Sequence, residues 1–319
     1  MSLFVRRYEK GRLVTRFCGM RVWRAAEEPG LSLQAQLLRR ELLATTDVGN
    51  APPARGYARD VQLAGVVLLK EVLRVARENG FHPWMISGSL LGTVRHGGKF
   101  VPWDDDVDQG MLRDEYDRFC EVFNEKCRDG YYAWRRFSRK WNQIKVSHRD
   151  LPKDVTASVM SYDLYHSPLP TLKEKHALFM KVRDAQERNA ARFDPQGDDA
   201  AHRAALDAAR REWVMDGKLP ATPEAKPAVL RGIEFMVAGW VKEAVYDYDD
   251  IFPLRQTTFE GVDVLVPNDP EIVLTYNYGD WAGWPGRLQP HHPASRFSME
   301  KALVLRRFVK AHGSFGKDA

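Results

Sequence analysis

The stretch SGSLLGTVRHGGKFVPWDDDVDQGM (residues 87–111) decides the fold, and its centre is the run DDDVD. Four aspartates stand within five positions of this run, between apolar residues rather than in an acidic tail. Side chains of a strand alternate between two faces, so Asp104, Asp106 and Asp108 are expected to share one face. Carboxylates that face inward repel one another and lose solvation, and a divalent cation removes both penalties. The run therefore predicts a metal site, and its oxygen ligands suit Mg²⁺ or Mn²⁺.

Two other interpretations of the aspartate run are less favourable. A solvated acidic turn is disfavoured because apolar residues stand on both sides of the run, among them Trp103 and Val107. An EF-hand loop needs glycine at its sixth position and glutamate at its twelfth. Counted from Asp104, Glu115 meets the second requirement, but Gln109 stands where the sharp turn needs glycine. The calcium-loop interpretation is therefore rejected.

The spacing of apolar residues and the positions of glycine and proline predict a succession of helices and strands. A first helix is expected to begin at an N-cap, Asp60, and to close at Asn79-Gly80. The elements expected next are a strand near residues 83–87, a turn and short helix over 87–96, a strand over 104–111, a helix over 114–127 and a strand over 156–166. The last expected elements are three helices over 172–193, 199–215 and 225–246, and strands and turns over 252–270. This order predicts an α+β fold, with a mixed sheet flanked by helices and a mainly helical middle and C-terminal part.

Three parts of the chain are expected to differ in role. Residues 1–58 form an extension that ends in the loop VGNAPPARG (48–56). Residues 59–170 form the core that carries the aspartates, and residues 171–319 form a helical and strand-turn part that completes the substrate site. The length of 319 residues and the hydrophobic content of 44% are ample for one sizeable core with a smaller part attached.

The sequence predicts neither export nor a membrane span. No apolar run reaches the ~20 residues that cross a bilayer, and the first residues contain no apolar segment with a small-residue cleavage site. The three cysteines, Cys18, Cys120 and Cys127, form no CxxC pattern, which fits a reducing compartment. A cytoplasmic protein is therefore expected.

The basic charge is concentrated near the N-terminus. The chain has a net charge of +5, and residues 1–24 alone hold seven basic residues and one acidic residue. Apolar and aromatic residues such as Phe4 and Trp23 accompany the basic ones. Such a segment can lie on the anionic inner face of the membrane, or it can pack on the protein body, and both interpretations stay open. Nucleic-acid binding is not expected, because no basic stripe continues through the body.

The tripeptide Ser-Gly-Ser (87–89) adds an anion site in front of the aspartates. It ends a predicted strand and opens a helix, and the N–H groups of such a turn face an anion. A Gly-Ser turn followed by a strand with an Asp-x-Asp pair resembles the DNA polymerase β-like nucleotidyltransferase superfamily. The resemblance implies that the turn holds a phosphate and that the carboxylates hold a metal on the same phosphates.

Residues 87–119 also resemble the signature of the LicD/fukutin family. The matching motifs are Gly-Ser-Leu-Leu-Gly (88–92), Arg-His-Gly-Gly (95–98), Pro-Trp-Asp-Asp-Asp-Val-Asp (102–108) and a helix that bears Arg113, Tyr116 and Phe119. A second block, FPLRQTTFEGVDVLVPNDPEIVLTYNYGDW (252–281), resembles the family as well. The resemblance covers about residues 63–119 and 252–281, whereas residues 1–58 lie outside it and the helical middle matches only in general character.

The resemblance implies a phosphotransferase on a nucleotidyltransferase-like fold. Family members move a phosphate-linked small group, such as phosphocholine or a polyol phosphate, from a CDP-activated donor (CDP-choline or a CDP-polyol) to a glycan and release CMP. The acceptor implied is a cell-surface glycan of the lipopolysaccharide, teichoic acid or capsule type. The charge on the diphosphate has to be neutralised, so Mg²⁺ or Mn²⁺ and cationic side chains are expected to supply most of the catalysis.

The resemblance also assigns roles to individual residues. Asp106 and Asp108 are expected to bind the metal, with Asp163 as a third carboxylate that acts as a metal ligand or as the base for the acceptor hydroxyl. The strand around Asp163 reads Ser-Tyr-Asp-Leu and departs from the family's Ile-Asp-Ile-Phe pattern. Gly88 and Ser89 are expected to cradle phosphate. The other residues expected to bind substrate are Arg95, His96, Lys99 and Trp103.

Each of these further residues also has a purely structural interpretation. Asp163 can be an ordinary polar residue at a strand end, and Lys99 can be a solvated surface charge. His96 can be a loop histidine that bonds to nearby backbone. Trp103 can stack on a base or cover a choline-like cation, but it fits an anchor of the core beside the aspartates better. The aromatic segment 276–284 can form a wall of the pocket or simply pack a loop.

Three other functions remain as alternatives. A nucleotidyltransferase would use the same turn and aspartate pair but would transfer a nucleoside monophosphate from an NTP and release pyrophosphate. A glycosyltransferase of the GT-A type also uses an Asp-x-Asp motif, but the Gly-Ser turn and the long helices disfavour it. A non-catalytic nucleotide-binding protein would have lost part of the site, whereas the turn, the aspartate pair and the Arg-His loop are all intact in this sequence.

Overall fold

A mixed sheet of nine strands lies at the centre of residues 49–319, in the part of the chain that the computed structural model describes. The described residues are 45–138, 141–190, 226–233, 245–285 and 298–313, the backbone of 4–9, 12–17 and 20–24, and the isolated residues 41, 204 and 208. The chain divides into two units, residues 1–48 and 49–319, and each is described by itself.

The N-terminal unit contains a small antiparallel sheet. Its strands are β1 (Phe4–Glu9), β2 (Arg12–Phe17) and β3 (Met20–Arg24), which lie in that order. Phe4 pairs with Phe17, and Glu9 pairs with Arg12. The sequence analysis assigned no regular structure to this extension, so the three strands are a feature that only the structure provides.

The second unit combines the central sheet with helices. Its strands are β4 (Trp84–Met85), β5 (Val107–Leu112), β6 (Tyr131–Ser138), β7 (Trp141–His148), β8 (Ala157–Leu164), β9 (Val229–Arg231), β10 (Val245–Tyr246), β11 (Arg255–Phe259) and β12 (Val262–Val266). Its described helices are α1 (Gly56–Glu78), α2 (Ser87–Arg95), α3 (Arg113–Lys126), α4 (Leu172–Ala190), α5 (Tyr248–Ile251), α6 (Pro270–Tyr278) and α7 (Met299–His312). The sheet order is β10-β9-β8-β5-β4-β12-β11, and the β6–β7 hairpin joins it through β8. The predicted α+β class is confirmed.

Helix α1 begins one turn earlier than the sequence indicates. Its first residue is Gly56, whereas Asp60, the predicted N-cap, lies inside the helix. The carboxylate of Asp60 instead accepts a hydrogen bond from Nε of Arg306 on α7 at 2.9 Å, so it connects two helices. The predicted end is confirmed, because Asn79 is the C-cap and Gly80 follows with a φ of 71°, a conformation that favours glycine.

Strand β5 begins at Val107, three residues later than predicted. The amide of Asp104 donates to the carbonyl of Val101 at 2.9 Å, and the side chain of Gln62 on α1 donates to the carbonyl of Asp104 at 2.7 Å. These bonds hold the segment before β5 in a turn against α1. The prediction that Asp104 belongs to the strand and shares its alternation is therefore wrong.

The register of the sheet separates two faces. Asp108 on β5 pairs with Ser158 on β8, and Ser158 pairs with Lys145 on β7. Paired residues of neighbouring strands project to the same side, and we call this side the Asp108 face. Arg231 on β9 lies on it as well, because Arg231 pairs with Tyr162, which is four residues from Ser158 on β8.

The opposite face carries the largest part of the core. Val107, Met111 and Val159 are fully buried, and α1 and α3 pack on this side of β5 and β8. Helix α1 comes close because Gly65 has no side chain, and a Cβ atom there would lie 3.2 Å from the side chain of Val107. Each aliphatic side chain buried in this way contributes about 1.5–3 kcal/mol to the free energy of unfolding.

The C-terminal half departs most from the prediction. Strands β9 and β10 occupy the two ends of the segment 225–246 that was predicted to be a helix. Their β-branched and aromatic residues, such as Val245 and Tyr246, are buried, and such residues favour strands. The predicted helix over 199–215 lies almost entirely outside the described residues, whereas α4 confirms most of the helix predicted over 172–193. The β6–β7 hairpin was not predicted.

Among the described helices, none is both long and apolar enough to cross a bilayer.

Candidate active site

Two carboxylates stand together at the beginning of β5. Asp108 lies in the strand, Asp106 precedes it by two residues, and both are half-buried. Burial lowers the pKa of Lys145, and the negative charges of Asp108 and Asp106 oppose that shift. Asp106 and Asp108 are thus two residues apart in the chain, and the charges of both reach the ammonium group of Lys145.

The carboxylate of Asp104 lies against the first turn of α2. A Cβ atom at Gly88 would overlap Oδ2 of Asp104 and would lie 2.8 Å from its Cγ. Residue 88 therefore has to be glycine for this approach, and the backbone of the predicted phosphate turn is in contact with the aspartate run. A helix N-terminus favours negative charge through its N–H groups and its dipole.

Hydrogen bonds connect the Ser-Gly-Ser turn to two strands. The hydroxyl oxygen of Ser89 accepts a bond from the amide of Asp108 at 3.0 Å, and the hydroxyl of Ser87 accepts one from the guanidinium of Arg231 at 2.7 Å. Ser87 has a φ of 52°, a strained conformation for a residue with a side chain, and such strain concentrates at functional sites. The turn is thus fixed to β5 by Ser89 and to β9 by Ser87.

A lysine and a serine continue the site across the sheet. The ammonium of Lys145 donates to the hydroxyl of Ser158 at 2.7 Å, and Ser158 is fully buried. Both residues lie on the Asp108 face, beside the two carboxylates. The sequence analysis missed them, because no motif surrounds either residue and only the strand register brings them to the aspartates.

The structure does not bring Asp163 to this site. Asp163 is five residues beyond Ser158 on β8, and an odd separation along a strand places the two side chains on opposite faces. Its carboxylate is fully buried and accepts bonds from Nε and Nη2 of Arg113 at 2.6 and 2.9 Å, and from the amide of Ile233 at 2.9 Å. The expectation that Asp163 shares a metal with Asp106 and Asp108 is therefore wrong, because the sheet separates them and Arg113 occupies its oxygens.

Arg95 and His96 lie at the other end of α2, where Arg95 holds the loop after α6. Arg95 donates to the carbonyls of Trp281 and Gly283 at 2.6 and 3.3 Å. Its Nε also donates to Nε2 of His96 at 3.2 Å. Arg95 connects α2 to the aromatic segment after α6, and the binding of donor phosphate by Arg95 and His96 stays a prediction.

Two tryptophans bring the first family-like block of the sequence into contact with the aromatic segment 276–284. Trp103 stacks on Trp284 with ring centroids 5.7 Å apart and an interplanar angle of 24°. The guanidinium of Arg95 lies over the Trp103 ring, 5.9 Å from its centroid. Trp103 also packs against the core, which agrees with its interpretation as an anchor. Lys99 is exposed. Burial of Glu260 raises the pKa of its carboxyl, but the hydrogen bonds from Arg59 and from the Phe100 amide, together with nearby positive charges, lower that pKa by more in total. The positive charge of Lys99 makes a smaller contribution than the hydrogen bonds, in the same direction.

Arg231 and Tyr278 complete the surroundings of the aspartates; the sequence analysis missed Arg231 and named Tyr278 only as part of the segment 276–284. Arg231 is fully buried. Loss of solvation of its hydroxyl raises the pKa of Tyr278, and the charge of Asp104 raises it further, with smaller contributions from Asp108 and Asp106. Arg231 acts on the same hydroxyl in the opposite sense. Tyr278 is partly exposed, with 39% of its surface accessible, and the run of aromatic residues in 276–284 was the signal that pointed to this segment.

The donor set fits a magnesium-type cation. Asp106 and Asp108 could supply two carboxylates, whereas the hydroxyl of Ser158 accepts a hydrogen bond from Lys145. Mg²⁺ is commonly held by one or two carboxylates together with substrate phosphates. When bound, such an ion would neutralise charge on a diphosphate that lies between the carboxylates and the Ser-Gly-Ser turn.

Comparisons with known proteins identify relatives of the central part of the chain. Residues 80–186 match the family described as LicD/FKTN/FKRP, nucleotidyltransferase domain. Over 44 residues the chain is 50% identical to the lipopolysaccharide cholinephosphotransferase LicD of Haemophilus influenzae. This matched stretch is 14% of this chain and 16% of that protein. Over 105 residues the chain is 28% identical to an uncharacterized protein of Rickettsia prowazekii. This second matched stretch is 31% of this chain and 38% of the relative. The chain thus spans well under two thirds of the curated relatives it matches.

Proposed function

On the premise that the chain belongs to the LicD family through residues 80–186, we propose that it is a metal-dependent phosphotransferase. It transfers a phosphate-linked small group, phosphocholine or a polyol phosphate, from a CDP-activated donor to a cell-surface glycan and releases CMP. The glycan is of the lipopolysaccharide type, which the name of the Haemophilus influenzae relative supports. Teichoic acid and capsule glycans are acceptors of the same chemical class.

The observation that carries the proposal is the hydrogen bond between the Ser-Gly-Ser turn and the aspartate strand. The amide of Asp108 donates to the hydroxyl of Ser89 at 3.0 Å, so a helix N-terminus and an Asp-x-Asp pair are held side by side. The first favours a phosphate, and the second favours a divalent cation. A diphosphate with a bound metal is the ligand that satisfies both.

The proposed reaction proceeds at the β-phosphorus of the donor. The acceptor hydroxyl oxygen forms a bond to this phosphorus, and the bond from phosphorus to the oxygen bridging the α-phosphate breaks. CMP leaves with the bridging oxygen, and the hydroxyl proton is released. Mg²⁺ or Mn²⁺ supplies charge neutralisation. Asp106 and Asp108 hold the ion, and the turn at Gly88 and Ser89 orients the phosphates, so positioning and electrostatics supply the catalysis.

The remaining expected residues have supporting roles in this proposal. Arg95 and His96 shape the loop that carries Trp281, and their outer edges contact donor phosphate. Trp103, stacked on Trp284, forms an aromatic wall for the base or for a choline-like cation. Lys99 adds positive charge at the rim. The protein acts at the inner face of the membrane, where lipid-linked glycans are available, and nucleic acid is not a partner.

A CMP-release assay tests the proposal directly. Purified protein is incubated with Mg²⁺ or Mn²⁺ and CDP-choline, CDP-ribitol or CDP-glycerol, and CMP is measured with and without a lipopolysaccharide acceptor. NTPs and sugar nucleotides serve as competing donors. We expect metal-dependent CMP release from one CDP donor, and that donor identifies the transferred group.

The competing donors decide among the alternatives. Pyrophosphate release from an NTP, with no turnover of any CDP donor, would replace the proposal with nucleotidyl transfer. Turnover of a sugar nucleotide alone would replace it with glycosyl transfer. Binding of CDP without CMP release in the presence of acceptor would indicate a non-catalytic protein.

A further inference from the structure

One row of side chains crosses three adjacent strands on the Asp108 face. Asp108 pairs with Ser158, and Ser158 pairs with Lys145. Neighbouring strands lie about 4.8 Å apart, so the backbone of Lys145 is roughly 10 Å from that of Asp108. The side chain of Lys145 extends back over this gap, because its ammonium donates to the hydroxyl of Ser158 at 2.7 Å.

The position beside Asp108 on the neighbouring strand therefore holds a neutral residue. A third carboxylate there would complete a stronger cation site, but the register places Ser158 at this point, and Asp163 lies on the other face. The next strand supplies a positive charge instead. The site thus combines two carboxylates with one fixed ammonium group.

The ammonium of Lys145 retains donors for a ligand. An ammonium has three N–H donors, and the hydroxyl of Ser158 accepts one of them. The side chain of Lys145 is half-buried, while its strand neighbours Ile144 and Val146 project to the opposite face and are fully buried there. Loss of solvation on this surface strengthens any interaction with an anion, and a phosphate is the anion that the Ser-Gly-Ser turn also selects.

We propose that Lys145 is a substrate-binding residue whose ammonium contacts a non-bridging phosphate oxygen of the donor, and that Ser158 is the positioning residue that holds it there. This inference rests on the proposed function, because it assigns the donor diphosphate to the same face as the metal. Lys145 then neutralises phosphate charge from the side of β7, while the divalent ion held by Asp106 and Asp108 does so from the side of β5.

Two binding measurements distinguish this role from a structural one. Mn²⁺ binding is measured without nucleotide by electron paramagnetic resonance, and CDP binding with Mn²⁺ is measured by calorimetry. In Lys145→Met, we expect the affinity for CDP to fall about tenfold or more, because a charged contact is lost. The affinity for Mn²⁺ alone is expected to stay equal or to rise, because a positive charge next to the carboxylates is removed.

Matched variants keep the test independent of folding. Lys145→Arg preserves the charge and is expected to keep most of the CDP affinity. Ser158→Ala is expected to weaken CDP binding less than Lys145→Met, and Ser158→Thr is expected to restore it. Lys153→Met, which changes an exposed lysine in the loop between β7 and β8, serves as the control. If Lys145→Met does not fold, a wild-type CDP affinity in Ser158→Ala would overturn the proposal.

The outcomes separate this inference from the proposed function. A wild-type protein that binds CDP and releases CMP, together with a Lys145→Met variant of unchanged CDP affinity, would overturn the role of Lys145 alone. A parallel loss of Mn²⁺ and CDP binding in that variant would indicate a structural lysine and would overturn it too. Failure of the wild-type protein to bind CDP would overturn the proposed function, and this inference with it.

Discussion

At the scale of single residues, Gly88 is the glycine at which the structure leaves the least room for a side chain. Its hydrogen atom allows the carboxylate of Asp104 to reach the first turn of α2, and a methyl group would overlap that carboxylate. We expect Gly88→Ala to lower kcat/KM for CMP release by about 100-fold, because a displacement of ~1 Å at the phosphate turn is enough for such a loss.

Two further measurements complete the Gly88 test. The thermal unfolding midpoint of Gly88→Ala is expected to fall by a few degrees at most, since the change is local. Gly80→Ala serves as a comparison, because residue 80 lies past the end of α1 and a Cβ atom there meets no neighbour. That comparison variant has strained backbone but an intact site. Equal CMP release in Gly88→Ala and the wild-type protein would exclude the turn from the reaction.

Asp106 is the residue whose loss tests the metal site. Asp106→Asn keeps the shape of the side chain but removes a carboxylate from the site. We expect CMP release to fall by about 100-fold or more, because the cation that neutralises the diphosphate is lost. Mn²⁺ affinity should fall in the same variant while circular dichroism stays unchanged. Wild-type turnover in a folded Asp106→Asn protein would show that the metal, if any, is bound elsewhere.

The residues of the site differ in how far the sequence could predict them. Asp106, Asp108 and the Ser-Gly-Ser turn are close together along the chain, so their spacing alone indicates a common site. Lys145 and Arg231 reach it only through strand pairing over long separations, and pairing partners cannot be read from local patterns. Asp163 failed as a prediction for the same reason, because its face depends on the register between β5 and β8.

At the scale of elements, the ion pair of Arg113 and Asp163 connects the start of α3 to β8. Both side chains are almost fully buried, and the guanidinium meets both carboxylate oxygens at 2.6 and 2.9 Å. Asp163→Asn removes the buried counter-charge of Arg113 and leaves the half-exposed carboxylate of Asp117, 3.9 Å away. We expect the free energy of unfolding to fall by about 3–5 kcal/mol, as measured by urea denaturation.

The control for this ion pair lies on the same helix. Asp117 is half-exposed and 3.9 Å from Arg113, and Asp117→Asn is expected to cost less than about 1 kcal/mol. Mn²⁺ affinity of the folded fraction of Asp163→Asn should equal that of the wild-type protein. A selective loss of Mn²⁺ binding with full stability would return Asp163 to the metal site.

Helices with a long apolar stripe were predicted better than short strands. Helices α1 and α3 agree with the sequence to within a few residues, because their burial on one side imposes the helical period. Strands β9 and β10 are three and two residues long, which is too short for an alternation to be distinguished from a helical repeat. Their assignment depends on the sheet edge that they extend, and this partner is remote in sequence.

At the scale of the whole molecule, the basic charge and the site belong to different units. Residues 1–24 carry seven basic residues and one acidic residue, and the described part of this segment forms β1, β2 and β3. Each basic residue near an anionic bilayer contributes about 1 kcal/mol to binding. We expect a variant that lacks residues 1–24 to lose association with vesicles rich in phosphatidylglycerol.

Vesicle co-sedimentation of the full-length and shortened proteins measures this effect. Neutral phosphatidylcholine vesicles provide the control, and binding by the full-length protein should decrease with added salt. CMP release from a CDP donor in solution should be equal in both proteins. Equal vesicle binding by both, or none by the full-length protein, would exclude a role of this segment in membrane association.

The division of the central sheet into an Asp108 face and an opposite face has a consequence for descent. Asp108 and Lys145 lie on one face of the sheet, and Asp163, which forms the ion pair with Arg113 of α3, lies on the other face. Relatives can exchange residues on one side without disturbing the other. Relatives that differ in donor or acceptor are therefore expected to differ at every second residue of β5, β7 and β8. The residues between these positions belong to the core and are expected to change more slowly.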